Sequence, residues 1–203
     1  MPPAPQLYLT FQAANGPACR DRLSAALTAA PIAGVRLVPP AGTMLDAAIA
    51  RPLVEVIQSH NAAALIEADA RLARTLRADG VHIPPGENQA AALAEAREIL
   101  GTRYIVGAGN DGSRHDAMTA GELGVDYIAF EGPERDERVG WWGEIFELPC
   151  VAFGATTADA AQLAKAGADF IGFDLPAATS SADIQALVRA VASAAAAAPV
   201  EAS

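Results

Sequence analysis

The sequence predicts a single-domain α/β protein, a closed (β/α)8 TIM barrel, on three observations. Eight short apolar runs alternate with segments of helical spacing. The runs lack polar alternation, which marks strands buried on both faces, as in a parallel sheet. Eight units in 203 residues match the usual size of such a barrel, about 200–250 residues. A closed barrel therefore fits better than an open doubly wound sheet.

Leu7-Tyr8-Leu9-Thr10-Phe11 is the first β-prone run, and Cys19 to Ala30 follows with helical spacing at Leu23, Ala26 and Leu27. Gly34 to Val38 is the second strand, closed by Pro39-Pro40. Thr43 is placed to cap a helix running to about Ser59, kinked or restarted at Pro52. Ala63 to Glu67 is the third strand, and Asp69 caps a helix through Arg77. Val81-His82-Ile83 is the fourth, ahead of a helix from about Gln89 to Leu100 that ends at Gly101.

Tyr104 to Gly107 is the fifth strand, with a helix from Ser113 to Leu123. Tyr127 to Phe130 is the sixth, followed by a charged loop and a short helix around Trp142 to Glu147. Cys150 to Phe153 is the seventh, with a helix from Thr157 to Ala166. Phe170 to Phe173 is the eighth, and the last helix spans about Ala182 to Ala197. Residues 7–197 are thus expected to form the ordered barrel, between a Pro-rich N-terminal tail and an Ala-rich C-terminal one. Three units share a theme, Arg77-Ala78-Asp79-Gly80-Val81, Gly124-Val125-Asp126-Tyr127-Ile128 and Gly167-Ala168-Asp169-Phe170-Ile171. In each, the Asp is expected to turn the chain into the next strand.

Fourteen basic against 24 acidic residues leave a net charge of −10. That balance opposes a general affinity for nucleic acid or an anionic membrane, though not a local phosphate pocket. No apolar stretch approaches the ~18 residues that span a bilayer. The first residues carry no signal-peptide pattern, and with two cysteines, Cys19 and Cys150, a cytoplasmic protein with reduced thiols is expected.

Function in such a barrel comes from the C-terminal strand ends and the loops after them. Collecting these gives Arg36, Glu67, Asp69, Glu87, Asp111, Glu131 and Asp174, an acidic rim with one cation. Paired carboxylates can hold Mg²⁺ or shift each other's pKa. Each also has a plainer use: Asp69 as a helix cap, Arg36 and Glu67 as a neutralising pair, Glu131 and Asp174 as solvated loop residues. Gly154-Ala155-Thr156-Thr157 opens a helix after the seventh strand, where backbone N–H groups suit an anion or merely form a turn and cap. His82 lies within an apolar strand and reads as a core histidine, and no HxH or HxxxH spacing suggests zinc. Trp141-Trp142 could cover an apolar substrate or a second copy in a homodimer, or pack the sixth helix onto the barrel.

At these positions the chain resembles the thiamine phosphate synthase family, including its TenI-like branch. Leu7-Tyr8-Leu9-Thr10 is similar to the family's LYLVT start, Ala78-Asp79-Gly80-Val81-His82-Ile83 to ADGVHLGQ, and Arg97 to Gly101 to RxxLG. Gly124-Val125-Asp126-Tyr127 resembles GADY, and Pro149 to Gly154 resembles PVVAIGG. The resemblance implies a barrel that joins a pyrimidine diphosphate to a thiazole phosphate with Mg²⁺. Its binding residues would be Arg36, Gly154, Ala155, Thr156 and Asp174 for the phosphorylated heterocycles, with Glu67 and Glu87 for the metal.

The same comparison shows departures. QLRxK becomes Arg36-Leu37-Val38-Pro39-Pro40, the Asn-Asp pair becomes Glu67-Ala68, and GQxD becomes Pro84-Pro85-Gly86-Glu87. The Ser of GxSxH falls near Gly109, and the TxTK loop becomes the stretch Glu134 to Arg138. A site that must stabilise phosphate charge has lost cations and gained carboxylate. The expectation is a synthase-like barrel of reduced or lost activity. The alternatives are a non-catalytic binding or regulatory barrel and a repurposed metal-dependent enzyme.

Overall fold

A computed structural model of the chain describes residues 4–175 and 180–197. Each apolar run pairs in parallel with the next, and the eighth returns to the first, closing the barrel. In order, the elements are β1 (Gln6–Gln12), α1 (Pro17–Ala29), β2 (Ile32–Val38), α2 (Ala47–Ser59), β3 (Ala63–Glu67) and α3 (Ala70–Leu76). β4 (Gly80–Ile83), α4 (Gln89–Leu100), β5 (Ile105–Asn110), α5 (Arg114–Glu122) and β6 (Tyr127–Phe130) follow. α6 (Arg135–Ile145), β7 (Cys150–Ala152), α7 (Ala160–Ala166), β8 (Phe170–Asp174) and α8 (Ser181–Ala196) complete the chain.

Three expected boundaries shift for local reasons. Thr43 does not cap α2; its hydroxyl donates to the Pro40 carbonyl in a turn, and Asp46 is the cap, accepting from the Ala48 N–H. Pro52 sits inside one continuous α2. The charged stretch 134–138 is not a loop but the start of α6, with Asp136 and Glu137 in its first turn, where acidic side chains favour the helix dipole. Asp69 caps α3 as expected, accepting from the Leu72 N–H at 2.8 Å.

The repeated aspartates do more than turn the chain. The Asp79 carboxylate accepts the Ala64 N–H at 2.8 Å, Asp126 accepts that of Val106 at 2.7 Å, and Asp169 accepts that of Cys150 at 2.8 Å. Each backbone N–H of the same three aspartates donates in return to the carbonyl of that same residue. The N-terminal ends of β3, β5 and β7 are thus clamped to the strands that follow them. Residue 64, 106 or 150 would otherwise begin a strand with an amide that has no partner.

Most of the core lies between sheet and helices. Trp142 belongs there, buried against Phe130, with its indole N–H on the Leu148 carbonyl. The tryptophan pair therefore packs α6 onto the barrel. Cys19 and Cys150 are buried free thiols, and burial pushes Cys150 up to about 12.

A second cluster of Tyr8, Leu65, Tyr127, Ala129, Val151 and Phe153 fills the barrel axis. Glycines make room for its rings: a Cβ at Gly107 would strike the Tyr127 ring, one at Gly172 the Phe153 ring, and one at Gly34 would crowd Tyr8. At the N-terminal end of the barrel a hollow of about 230 Å³ remains, lined chiefly by apolar side chains and the two tyrosines. No described helix is long and apolar enough to cross a membrane.

Asp169→Ala leaves the buried Cys150 amide without its carboxylate acceptor. Its expected effect is a loss of about 1–3 kcal/mol, read as a lower urea midpoint at unchanged m-value.

Candidate functional site

The sheet places the chemistry. Strand residues two apart share a face, so the alternation that points Tyr8 inward also sends Thr10 there, and its register partner Arg36 on β2. Arg36 is 9% exposed. Its guanidinium lies 4.1 Å from the centroid of Phe153, and its Nε is 3.6 Å from a Glu67 carboxylate oxygen, beyond hydrogen-bond length. His82 stands beside Glu67 in register, stacks on Tyr127 and meets Phe153 edge-on at 5.4 Å. Tyr8 meets the same ring at 5.2 Å. Phe153 is thus the hub of the floor beneath the barrel mouth.

Among the described residues, Arg36 Nε and His82 Nε2 beside this hub, and Thr10 Oγ1 at the strand position paired with Arg36, are buried without a hydrogen-bond partner. Orphaned buried polar atoms are rare because each forfeits its hydration. Burial holds His82 far below its ordinary pKa, with Arg36 adding to the effect, so the imidazole is neutral. Burial raises the Glu67 carboxyl, Arg36 draws it partly back, and Glu131 adds repulsion. Glu131 is raised for the same leading reason, with Arg36 opposing and Asp111 and Asp174 adding negative charge.

The predicted residues do not all meet. Arg36 and Glu67 come together, with Glu131 and Asp174 close enough to act on the same charges. Glu87 is exposed and lines a different place, a groove of about 400 Å³ between α4 and α5 that also contains Asp111, Asp116 and Thr119. Gly154 takes φ +67 after β7, a turn conformation suited to glycine. The Ala155 N–H donates to the Gly172 carbonyl at 2.8 Å, and the Thr156 N–H to Asp159 at 2.6 Å. Two of the amides expected to meet phosphate thus already hold protein acceptors.

Two arginines of the stretch 134–138 went unassigned in the sequence. Arg135 donates to the Phe153 carbonyl at 2.9 Å and to Asp159 at 2.7 Å. Arg138 is 3% exposed and donates to Asn110 Oδ1 and to the Gly112 and Glu131 carbonyls. Both cations stand near the mouth, and both are engaged in holding its loops. Tyr8, Thr10, Tyr127 and Phe153 were also missed as site residues, although period-two alternation from Arg36 and Glu67 points to the face they share.

Among the described residues, no group of three His, Cys, Asp or Glu side chains is placed to hold a metal ion. Magnesium asks for less: one or two carboxylates, with waters and substrate phosphates completing the shell. Glu67 and Glu131 are both raised by burial, and Glu131 adds repulsion at Glu67; a cation beside them would relieve both effects.

A parallel barrel with an imidazole, a guanidinium and carboxylates around an aromatic floor at its C-terminal mouth defines a (β/α)8 barrel protein with a polar site at that mouth. The sequence profile of the family described as Thiamine monophosphate synthase matches residues 39–173. The thiamine-phosphate synthase of Erythrobacter litoralis is 39% identical over 160 residues, 72% of this chain and 73% of that one. That of Rhodospirillum centenum is 36% identical over 183 residues, 82% and 86% of the two chains. The chain belongs to the thiamine monophosphate synthase family. Among solved structures, thiamine phosphate pyrophosphorylase from Pyrococcus furiosus superposes with a TM-score of 0.77 at 19% identity, over 94% of this chain and 95% of that one. A KDPGal structure gives 0.76 at 14% identity, over 95% of each chain. These two likenesses show the fold.

Glu131 supplies a test of the electrostatics. A carboxyl whose pKa is higher folded than unfolded binds protons more tightly when folded, so stability falls as rising pH ionises it. Glu131→Gln removes that effect. Thermal melts of the variant are expected above the parent at neutral pH, with the gain gone below the ordinary Glu range, about pH 4.

Proposed function

We propose that this protein is a thiamine-phosphate-synthase-like barrel that binds a pyrimidine diphosphate and a thiazole phosphate at its C-terminal mouth and couples them slowly. The observation that carries this reading is the trio of orphaned polar atoms: Arg36 Nε and His82 Nε2 on residues that pack against Phe153, and Thr10 Oγ1 at the strand position paired with Arg36. They are groups a polar heterocycle with an anionic arm would satisfy, and the relatives carry the matching name.

In this reading Arg36 meets the diphosphate, since among the described residues no hydrogen bond ties its guanidinium down. His82, neutral and buried, contacts the ring rather than the phosphates. The faces of Tyr127 and Phe153, with Glu67 close by, suit positive charge that develops on the ring when the diphosphate leaves. Mg²⁺ held by Glu67 and Glu131 would supply the positive charge that the departing diphosphate requires. The Gly154 to Thr156 turn and Asp174 border the place for the second phosphate, where Asp159 must yield the Thr156 amide. The slow rate follows from the saturation of Arg135 and Arg138 by protein acceptors. Removing one preorganised donor from such a site costs about 10²–10³ in kcat.

A single-turnover assay with both substrates and Mg²⁺ tests the reading. Product above a no-enzyme control is expected, and Arg36→Ala is expected to lower kcat/KM by about 10²-fold or more. Binding of the pyrimidine diphosphate with no product after long incubation would instead favour a non-catalytic binding barrel. The same saturated arginines motivate that second reading.

A further inference from the structure

Beneath the mouth runs a short chain of hydrogen bonds that nothing so far has used. Tyr8 Oη lies 2.9 Å from Tyr127 Oη, and Tyr127 Oη lies 2.9 Å from His82 Nδ1. All three side chains are buried. The other ring nitrogen, His82 Nε2, has no partner. It faces the level of Gly109, whose Cβ, if present, would stand 3.2 Å from it. Gly109 is two residues nearer the C-terminal mouth than Gly107, which packs on Tyr127. The imidazole therefore stands with Nδ1 toward the tyrosines and Nε2 toward the mouth.

Proton counting orients the chain. Two hydroxyl hydrogens and one imidazole hydrogen share two internal contacts, leaving one hydrogen over. With Tyr8 donating to Tyr127 and Tyr127 donating to Nδ1, the spare hydrogen is on Nε2. In the reverse direction Nδ1 donates to Tyr127, Tyr127 donates to Tyr8, and the Tyr8 hydrogen has no acceptor. Among the described residues no side chain accepts it, and the hollow below is lined chiefly by apolar groups such as Leu65, Ile105 and Phe170. Acid–base strength decides in the same sense: a neutral imidazole N–H is a weaker acid than a phenol, and the bare imidazole nitrogen is a stronger base than a phenol oxygen, so the phenol donates and the nitrogen accepts.

We propose that Tyr127, oriented in turn by Tyr8, is a positioning residue that locks His82 in its Nε2–H tautomer, so that the mouth presents a hydrogen-bond donor and selects a ring with an sp² nitrogen or carbonyl acceptor. The inference deepens the proposed function, on which its ligand half rests. The tautomer half stands on the hydrogen-bond chain alone.

Long-range ¹H–¹⁵N correlation spectra of ¹⁵N-histidine-labelled protein at neutral pH test it, with His82→Gln assigning the resonance. The expected pattern is a protonated Nε2 and a bare, hydrogen-bonded Nδ1. Tyr127→Phe, which keeps the ring and removes the hydroxyl, is expected to give tautomer-averaged shifts and to raise KM for the pyrimidine diphosphate about tenfold at similar kcat, the worth of one hydrogen bond. Tyr8→Phe retains the Tyr127 donor and is expected to keep the tautomer. A wild-type His82 protonated on Nδ1, or shifts unmoved in Tyr127→Phe, overturns the proposal. If Tyr127→Phe does not fold, the wild-type spectrum alone decides. Absence of coupling activity with the predicted tautomer present removes the proposed function and leaves the tautomer assignment intact.

Discussion

Closure of the barrel rests on three carboxylates. A parallel strand starts with an amide that its neighbours do not reach, and eight such starts meet at one end of the molecule. Asp79, Asp126 and Asp169 answer three of them, each accepting the amide of a residue at the start of the strand before it. Because the same residue also exchanges backbone hydrogen bonds, the register between paired strands is set at the bottom of the barrel. Register set there determines which side chains face inward at the top. Arg36 meets Glu67, and His82 meets Tyr127, only because the strands neither slip nor rotate.

What the register brings together is an unequal contest of charge. One guanidinium, lying on an aromatic ring and with no hydrogen bond to another described residue, shares the mouth with Glu67, Glu131 and Asp174. Burial holds two of the carboxylates partly toward their neutral forms. The other arginines close to the mouth do not redress the balance, because Arg135 and Arg138 act as braces between loops. The mouth is therefore a place where carboxylates outnumber the guanidinium left without a hydrogen bond among the described residues.

The fold was legible because its signals are local. Uninterrupted apolar runs, Asp69 at a helix start and Gly101 at a helix end each act within a few residues. The helix from Gln89 to Leu100 and the strand from Tyr127 to Phe130 were read to the residue. The boundary expected at Thr43 differs because Asp46, three residues on, is an equally good cap and stands directly before the helix it caps. The site was less legible. Arg36 and Glu67 stand out as charges in apolar strands, but Thr10, Tyr8 and Tyr127 look like ordinary β-formers, and only alternation around a closed barrel turns them toward His82. Arg135 and Arg138 are hidden by their acidic neighbours, which suggest a solvated loop; in α6 their side chains reach the carbonyls of Phe153, just after β7, and of Asn110 in β5.

The fit between glycines and rings along the axis bears on how such a site can change through descent. Gly107 accommodates Tyr127, Gly172 accommodates Phe153, and Gly109 accommodates His82 and Pro85. Within each pair, neither member can be exchanged for a larger residue unless the other changes too, and contacting residues of this kind are strongly non-additive. Single substitutions in the floor are therefore disfavoured in isolation, so the floor moves in concerted steps or stays as it is. No such coupling restrains Pro84-Pro85-Gly86-Glu87 at its exposed end, where a Cβ on Gly86 would meet open space. Changes at the rim can thus accumulate one residue at a time while the packed floor stays as it is.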